Sequence, residues 1–323
     1  MRGIAAGAPD QSEAAGWRFA AAPASDPARW LVGRPVDEAA RLVPMVFNLC
    51  AAAQGAASAA ALGLREPGAE DAIRAETVRD HAIALFHHWP ALIGAEPDRV
   101  ALALLGALSR GDPDEPAPLA TRICGEARDL SAFTILELDA WLDAGATGPA
   151  RFLRQVRAGD PAWGRAELPS VGLADVDAAM AQPAPIAARE TTPLDRVRRA
   201  PVMQALLAAE GASLFARLLA RVLDLLWAAA GRADAPLSGV SPGGAGVAEA
   251  ARGRLAHKAR VLDGRVGAYQ VLTPSVWNLA PGGLLERMLA ALPSRRETAL
   301  LAQLCVGAVN PCAPVTLAFG RGA

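Results

Sequence analysis

The feature that most constrains the fold is an apolar run with helical rhythm over residues 203–230. Leu206, Leu214, Leu218, Val222 and Leu225 recur there on one helix face. Glu210, Arg217, Arg221 and Asp224 interrupt it, and so many charges are incompatible with a bilayer interior, so the run predicts a core helix and no membrane insertion. Such a helix needs others to cover it, and the composition supplies them. Hydrophobic residues are 52% of the 323, but aromatics only 5%, so the apolar mass is Ala, Leu and Val. Chains rich in Ala and Leu favour helix.

Residues 1–36 read as loop, with 1–30 flexible and a tightening at Gly33-Arg34-Pro35. Asp37 is placed to cap a helix running through Cys50 to about Leu62, disturbed at Pro44. Further helices are predicted over 70–93, 98–109, 127–144 and 148–157. Residues 158–192 are rich in Pro, Gly and Ala and form an irregular segment with short helical stretches. Residues 231–246 read as a glycine-rich connection. Residues 254–261 and 266–273 then have strand character and flank Asp263-Gly264, a strong hairpin signal. Residues 283–292 and 294–306 return to helix, and 310–323 read as irregular and apolar. The predicted fold is mainly α, one domain over 1–323, with a small β hairpin near 254–273.

A net charge of −1 offers no basic surplus for nucleic acid. No apolar stretch follows basic residues near Met1, so a secretory signal is not expected and the protein is placed in the cytoplasm. There the four cysteines, Cys50, Cys124, Cys305 and Cys312, are expected as reduced thiols. A buried cysteine is usually a small hydrophobe, the reading kept for Cys124 and Cys305. His81, His87 and His88 cluster on one predicted helix, and His81 and His88 share a face. Surface or partner contacts are their ordinary reading; metal binding is the alternative. His257 is read as structural.

Three segments carry a family resemblance. Phe47-Asn48-Leu49-Cys50, followed by Gln54 and Ala57-Ser58, is the first. The second runs from Glu249-Ala250-Ala251-Arg252-Gly253-Arg254-Leu255-Ala256-His257 through Asp263-Gly264 and Tyr269-Gln270-Val271 to Pro274-Ser275-Val276-Trp277-Asn278-Leu279-Ala280-Pro281. The third is Asn310-Pro311-Cys312-Ala313-Pro314-Val315. Together they resemble the large subunit of [NiFe] hydrogenases, and still more its accessory paralogues of the HupK/HoxV type. The second segment matches without a gap over about thirty residues, departing at Ala251, where the family has proline. A weaker likeness covers Thr192 to Arg196, while residues 63–190 carry little of it.

In that family four cysteines from the two chain ends bind nickel, and two of them bridge to an iron bearing two cyanides and one carbon monoxide. Cys50 and Cys312 fall on two of these positions. Phe47 and Val315 stand at the other two, and neither can donate an electron pair. The resemblance therefore implies no nickel site and no hydrogen turnover. It implies two thiolates for an Fe(CN)2CO unit, a soft ligand set suited to iron. Cys50 matches a bridging position and Cys312 a nickel-terminal one. Iron binding thus needs a shifted geometry, or one thiolate from a delivering partner. Arg252 and Ser275 would donate to the cyanides and Pro274 would wall the carbon monoxide.

The implied function is a non-catalytic maturation scaffold that holds or assembles Fe(CN)2CO before transfer. Its implied partners are the maturation chaperone complex and the hydrogenase large-subunit precursor. Two alternatives stand beside it: a divergent hydrogenase-like metalloenzyme, and a metal-free chaperone of the apo large subunit. Neither the family's final His nor a long tail follows Cys312, so no cleavage during maturation is expected.

Overall fold

The computed structural model describes residues 16–22, 27–109, 116–126, 129–181 and 186–320. In chain order the elements are β1 (Gly16–Ala21), α1 (Val36–Val46), α2 (Ala51–Ala61), α3 (Ala69–Ile83), α4 (Trp89–Leu92), α5 (Arg99–Ser109), α6 (Pro116–Cys124), α7 (Ile135–Ala144) and α8 (Gly148–Arg157). There follow α9 (Leu173–Ala181), α10 (Pro193–Val197), α11 (Pro201–Glu210), α12 (Leu214–Ala229), β2 (Ser238–Val240), β3 (Gly246–Ala250), β4 (Gly253–Leu262) and β5 (Arg265–Leu272). The chain closes with α13 (Pro274–Asn278), α14 (Leu284–Ala290), α15 (Ala299–Val309) and β6 (Val315–Gly320). Among the described residues no helix is long and apolar enough to cross a membrane.

The core is built around α12, thirteen of whose sixteen residues are buried. The expected continuous helix over 203–230 is in fact two. Gly211 closes α11 at φ +73°, and the Ser213 hydroxyl then accepts from the Ala216 amide at 3.1 Å to start α12. The charges that interrupt the apolar run point inward and are paired. Arg217 meets both oxygens of the buried Glu190, at 2.9 and 2.7 Å, and donates to the Ala166 carbonyl at 2.7 Å. Arg217→Ala would strand Glu190 in the core, so we expect a loss of about 3–5 kcal/mol, measured by urea unfolding.

The strands flanking Asp263-Gly264 belong to a four-stranded antiparallel sheet ordered β2-β3-β4-β5. Asp263 and Gly264 turn the chain at φ 50° and 72°, the two positive values a tight hairpin requires. β2 arises within residues read as a connection, and Gly246, the last of them, opens β3 as a packing position. At Gly246 a Cβ would stand 2.0 Å from the Ala57 carbonyl oxygen, where α2 rests on β3. Gly246→Ala therefore forces α2 off the sheet, and we expect about 3 kcal/mol of destabilisation, read as a lower melting temperature.

Both chain ends correct the sequence reading. Residues 1–36 are not all loop, and 310–323 are not irregular throughout. β1 and β6 pair antiparallel, with Trp17 opposite Phe319 and Ala21 opposite Val315. Each strand is short and lacks strict alternation, so neither signals itself; each exists because the other end of the chain supplies its hydrogen bonds. Of the segment expected to be flexible, residues 1–15 and 23–26 lie outside the described residues. The single helix predicted through Cys50 divides at 47–50 into α1 and α2. The irregular stretch 158–192 carries α9 and a parallel bridge from Ser170 to Glu190.

Candidate metal centre

Cys50 is the residue before α2, in the break after α1, and is only 5% exposed. The first amides of α2 are taken by a neighbouring helix: Ala52 donates to Glu76 at 2.9 Å. Cys50 is left among Ala53, Ala56 and Ile73, and this burial pushes its thiol up to about 12 despite the Arg252 charge. Without metal it therefore keeps its proton at neutral pH, and an incoming metal must displace that proton.

Cys312 arrives from the other end of the chain. Asn310 ends α15 with a left-handed residue at φ 51°, and Pro311 follows. Ser275, in the first turn of α13 beside the buried Pro274, then fixes the cysteine twice. Its hydroxyl accepts from the Cys312 amide at 2.9 Å and lies 3.0 Å from the sulfur.

Arg252 joins these parts. It stands in the tight turn between β3 and β4, beside Gly253 at φ +119°. A Cβ on Gly253 would lie 2.2 Å from the Thr191 carbonyl oxygen, so only glycine lets the turn sit this close. Arg252 donates to the Pro311 carbonyl at 3.3 Å and through Nε and an Nη to one oxygen of Asp80, at 3.2 and 2.9 Å. Burial pulls the guanidinium down, but Asp80, Cys50 and Cys312 outweigh it and hold Arg252 above its ordinary value. Cys312 also acts on Cys50, so the two sulfurs from opposite ends lie within electrostatic reach of one guanidinium and of each other.

Asp80 was not legible as a site residue. Its other oxygen accepts from Arg221 at 2.7 Å and from the Asn310 side chain at 2.9 Å. Burial pushes this carboxyl up, but the Arg221 and Arg252 guanidiniums hold it well below the usual carboxylate range. The chain of charges runs on inward. Arg221 Nε donates to His81 Nδ1 at 3.0 Å, which makes the other ring nitrogen the proton carrier; His81 Nε2 donates to Asp224 at 2.7 Å. Arg196 grips Asp224 at 2.8 and 2.5 Å and donates to the Ala250 carbonyl at 2.9 Å. The available signal was the spacing of Arg217, Arg221 and Asp224 along an apolar helix, which puts three charges on buried turns that must meet partners.

The histidines separate. His81 is buried in this string, whereas His87 and His88 are exposed. A π turn over Ala84–His88 rotates the helix between them, with the Trp89 amide reaching the Ala84 carbonyl. His257 is fully buried between Gln54 and Tyr269, whose hydroxyl donates to Ser58 at 2.7 Å. Burial lowers it to about 3, so it is a neutral structural group. Phe47 packs edge-on to His257 at 6.0 Å, and Val315 is the first residue of β6. Cys124 and Cys305 are buried in the helical core, away from this pocket. Among the described residues no three His, Cys, Asp or Glu side chains gather as a self-sufficient metal cage.

Curated relatives decide the family. HupK of Rhodobacter capsulatus, a hydrogenase expression/formation protein, is 33% identical over 288 residues, covering 89% of this chain and 87% of its own. HupK of Azotobacter vinelandii is 31% identical and covers 88% of each chain. The chain belongs to the HupK family of hydrogenase expression/formation proteins. HoxV of Cupriavidus necator is more distant, at 27% identity with 91% and 90% coverage. The nickel-dependent hydrogenase family matches residues 196–303, which hold Arg252 and Ser275 but neither Cys50 nor Cys312. The reduced Ni-Fe-Se hydrogenase of D. vulgaris Hildenborough superimposes with a TM-score of 0.54 at 15% identity, covering 94% of both chains. The fold is thus that of a hydrogenase large subunit, on a chain whose relatives are expression/formation proteins.

Proposed function

We propose that this HupK-family protein is a non-catalytic maturation scaffold of the cytoplasm, holding or assembling an Fe(CN)2CO unit as cargo for an immature hydrogenase large subunit. One observation carries the reading. Two cysteines from the ends of the chain lie within electrostatic reach of Arg252, while apolar Phe47 and Val315 stand where the resemblance puts the family's other two thiolates.

Two sulfurs with no nickel site beside them suit a cargo that must leave again, because no second metal locks the iron in place. Cys50 and Cys312 would bind the iron; the Ser275 hydroxyl, already 3.0 Å from one sulfur, would turn to a cyanide nitrogen. Arg252 is held by Asp80 and by the Pro311 carbonyl, and a charge-assisted donor of this kind suits an anionic acceptor. Pro274 would shape the apolar wall. The delivering chaperone complex and the large-subunit precursor are the partners this cargo requires.

The test is the infrared spectrum of protein purified anaerobically with its maturation partners, with iron and nickel measured in parallel. Cyanide and carbon monoxide bands with iron and without nickel are the expected result. Nickel with hydrogen turnover would make the protein an enzyme, and a permanent absence of the bands would leave a metal-free chaperone.

A further inference from the structure

A cavity of about 310 Å3 opens between α3, α10, α12 and strands β3 and β4, and neither Cys50 nor Cys312 lines it. Two arginines of its floor are already paired. Arg196 is taken by Asp224, and Arg254 is joined to Glu249 at 2.7 Å and to the Val171 carbonyl at 2.5 Å. Those of the rim are less engaged. Arg199 makes no hydrogen bond or ion pair among the described residues, although it lines the cavity and is exposed. Arg232 lies 3.9 Å over the Trp227 ring and otherwise reaches the Ser131 hydroxyl at 3.4 Å and the exposed Asp129 at 3.9 Å. Stacking on an indole holds a guanidinium in place while leaving its edge donors available. Two further carboxylates line the cavity: Asp195, which accepts from the Ser170 hydroxyl, and the exposed Asp234 at the rim.

We propose that this cavity binds a small organic anion, a carboxylate or phosphate monoester with a compact apolar body. Its charged head pairs with Arg199 and Arg232, and its body lies against Val171, Pro236 and Leu237. The volume is at the lower end of small-molecule pockets, which suits a ligand of this size. The forked donors of arginine match both head groups. The site is separate from the iron-cargo reading and stands or falls apart from it.

Phenyl phosphate and benzoate are the probes, titrated calorimetrically into the full chain. Saturable binding of either is expected, weakened by added salt because the rim is exposed. Binding of one probe alone assigns the head group. The double variant Arg199→Ala/Arg232→Ala should weaken binding at least about tenfold, and Asp234→Asn should tighten it by removing the opposing charge. These side chains are exposed, and a thermal melt confirms that each variant is folded. No binding of either probe at about 10 mM, or unchanged affinity in the folded double variant, overturns the proposal.

Discussion

Cys50→Ser should abolish the cyanide and carbon monoxide bands of protein purified with its maturation partners, while leaving the fold intact. The two side chains are nearly the same size, and serine is a favoured residue at a helix N-terminus, where Cys50 stands. Stability should therefore change by less than about 1 kcal/mol. The ligand chemistry changes far more, since a hydroxyl is a hard donor that does not replace a soft thiolate at iron. Cys124→Ser and Cys305→Ser are the controls. Both cysteines are buried in the helical core, so those variants should keep the bands. Bands that survive in Cys50→Ser would overturn the ligand assignment and leave the convergence of the two sulfurs without this function.

Asp80→Asn should be the most damaging single change to the architecture of the site. The carboxylate of Asp80 receives four donor contacts: from Arg221 and Asn310 on one oxygen, and two from Arg252 on the other. That occupies all its acceptor capacity. An amide would turn an NH2 group against one of these donors and leave the buried Arg221 and half-buried Arg252 without their shared counter-charge. Breaking such a buried pair costs about 3–5 kcal/mol. Urea unfolding should show that loss, and iron loading should fall with it because Arg252 is released. An unchanged unfolding midpoint would show that the string carries no net stability.

Acid should act through the same groups. Burial raises the carboxyls of Asp80 and Asp224, but their cationic and imidazole partners more than reverse it and hold both well below the usual range. The unfolded chain therefore takes up their protons first as pH falls. Their stabilisation is present in full above about pH 5 and is lost progressively below about pH 4. Unfolding midpoints measured across that range should fall more steeply for the wild type than for Asp80→Asn.

Much of the local structure was legible because its causes are local. Asp263-Gly264 marks a turn by the backbone freedom it needs, and β4 and β5 form on either side of it. The periodic leucines of α12 place a buried helix wherever the rest of the chain goes. The segment from Glu249 to Pro281 carries enough matched positions to name its family kinship unaided. The break at Gly211 was less visible, because an apolar rhythm runs through both helices and only the positive φ separates them.

The sequence by itself determined the mainly helical core, the β turn at Asp263-Gly264, and which cysteines carry the family resemblance. Tertiary structure alone decided that β1 and β6 exist, since each is a strand only when the opposite end of the chain satisfies its backbone groups. It alone decided that Asp80 faces Arg252, and that Arg221, His81 and Asp224 continue the string inward. The physical reason is the range of the forces. Turn geometry and helical periodicity are settled among near neighbours in the chain, whereas a buried charge takes whichever partner the packed fold brings within hydrogen-bonding distance.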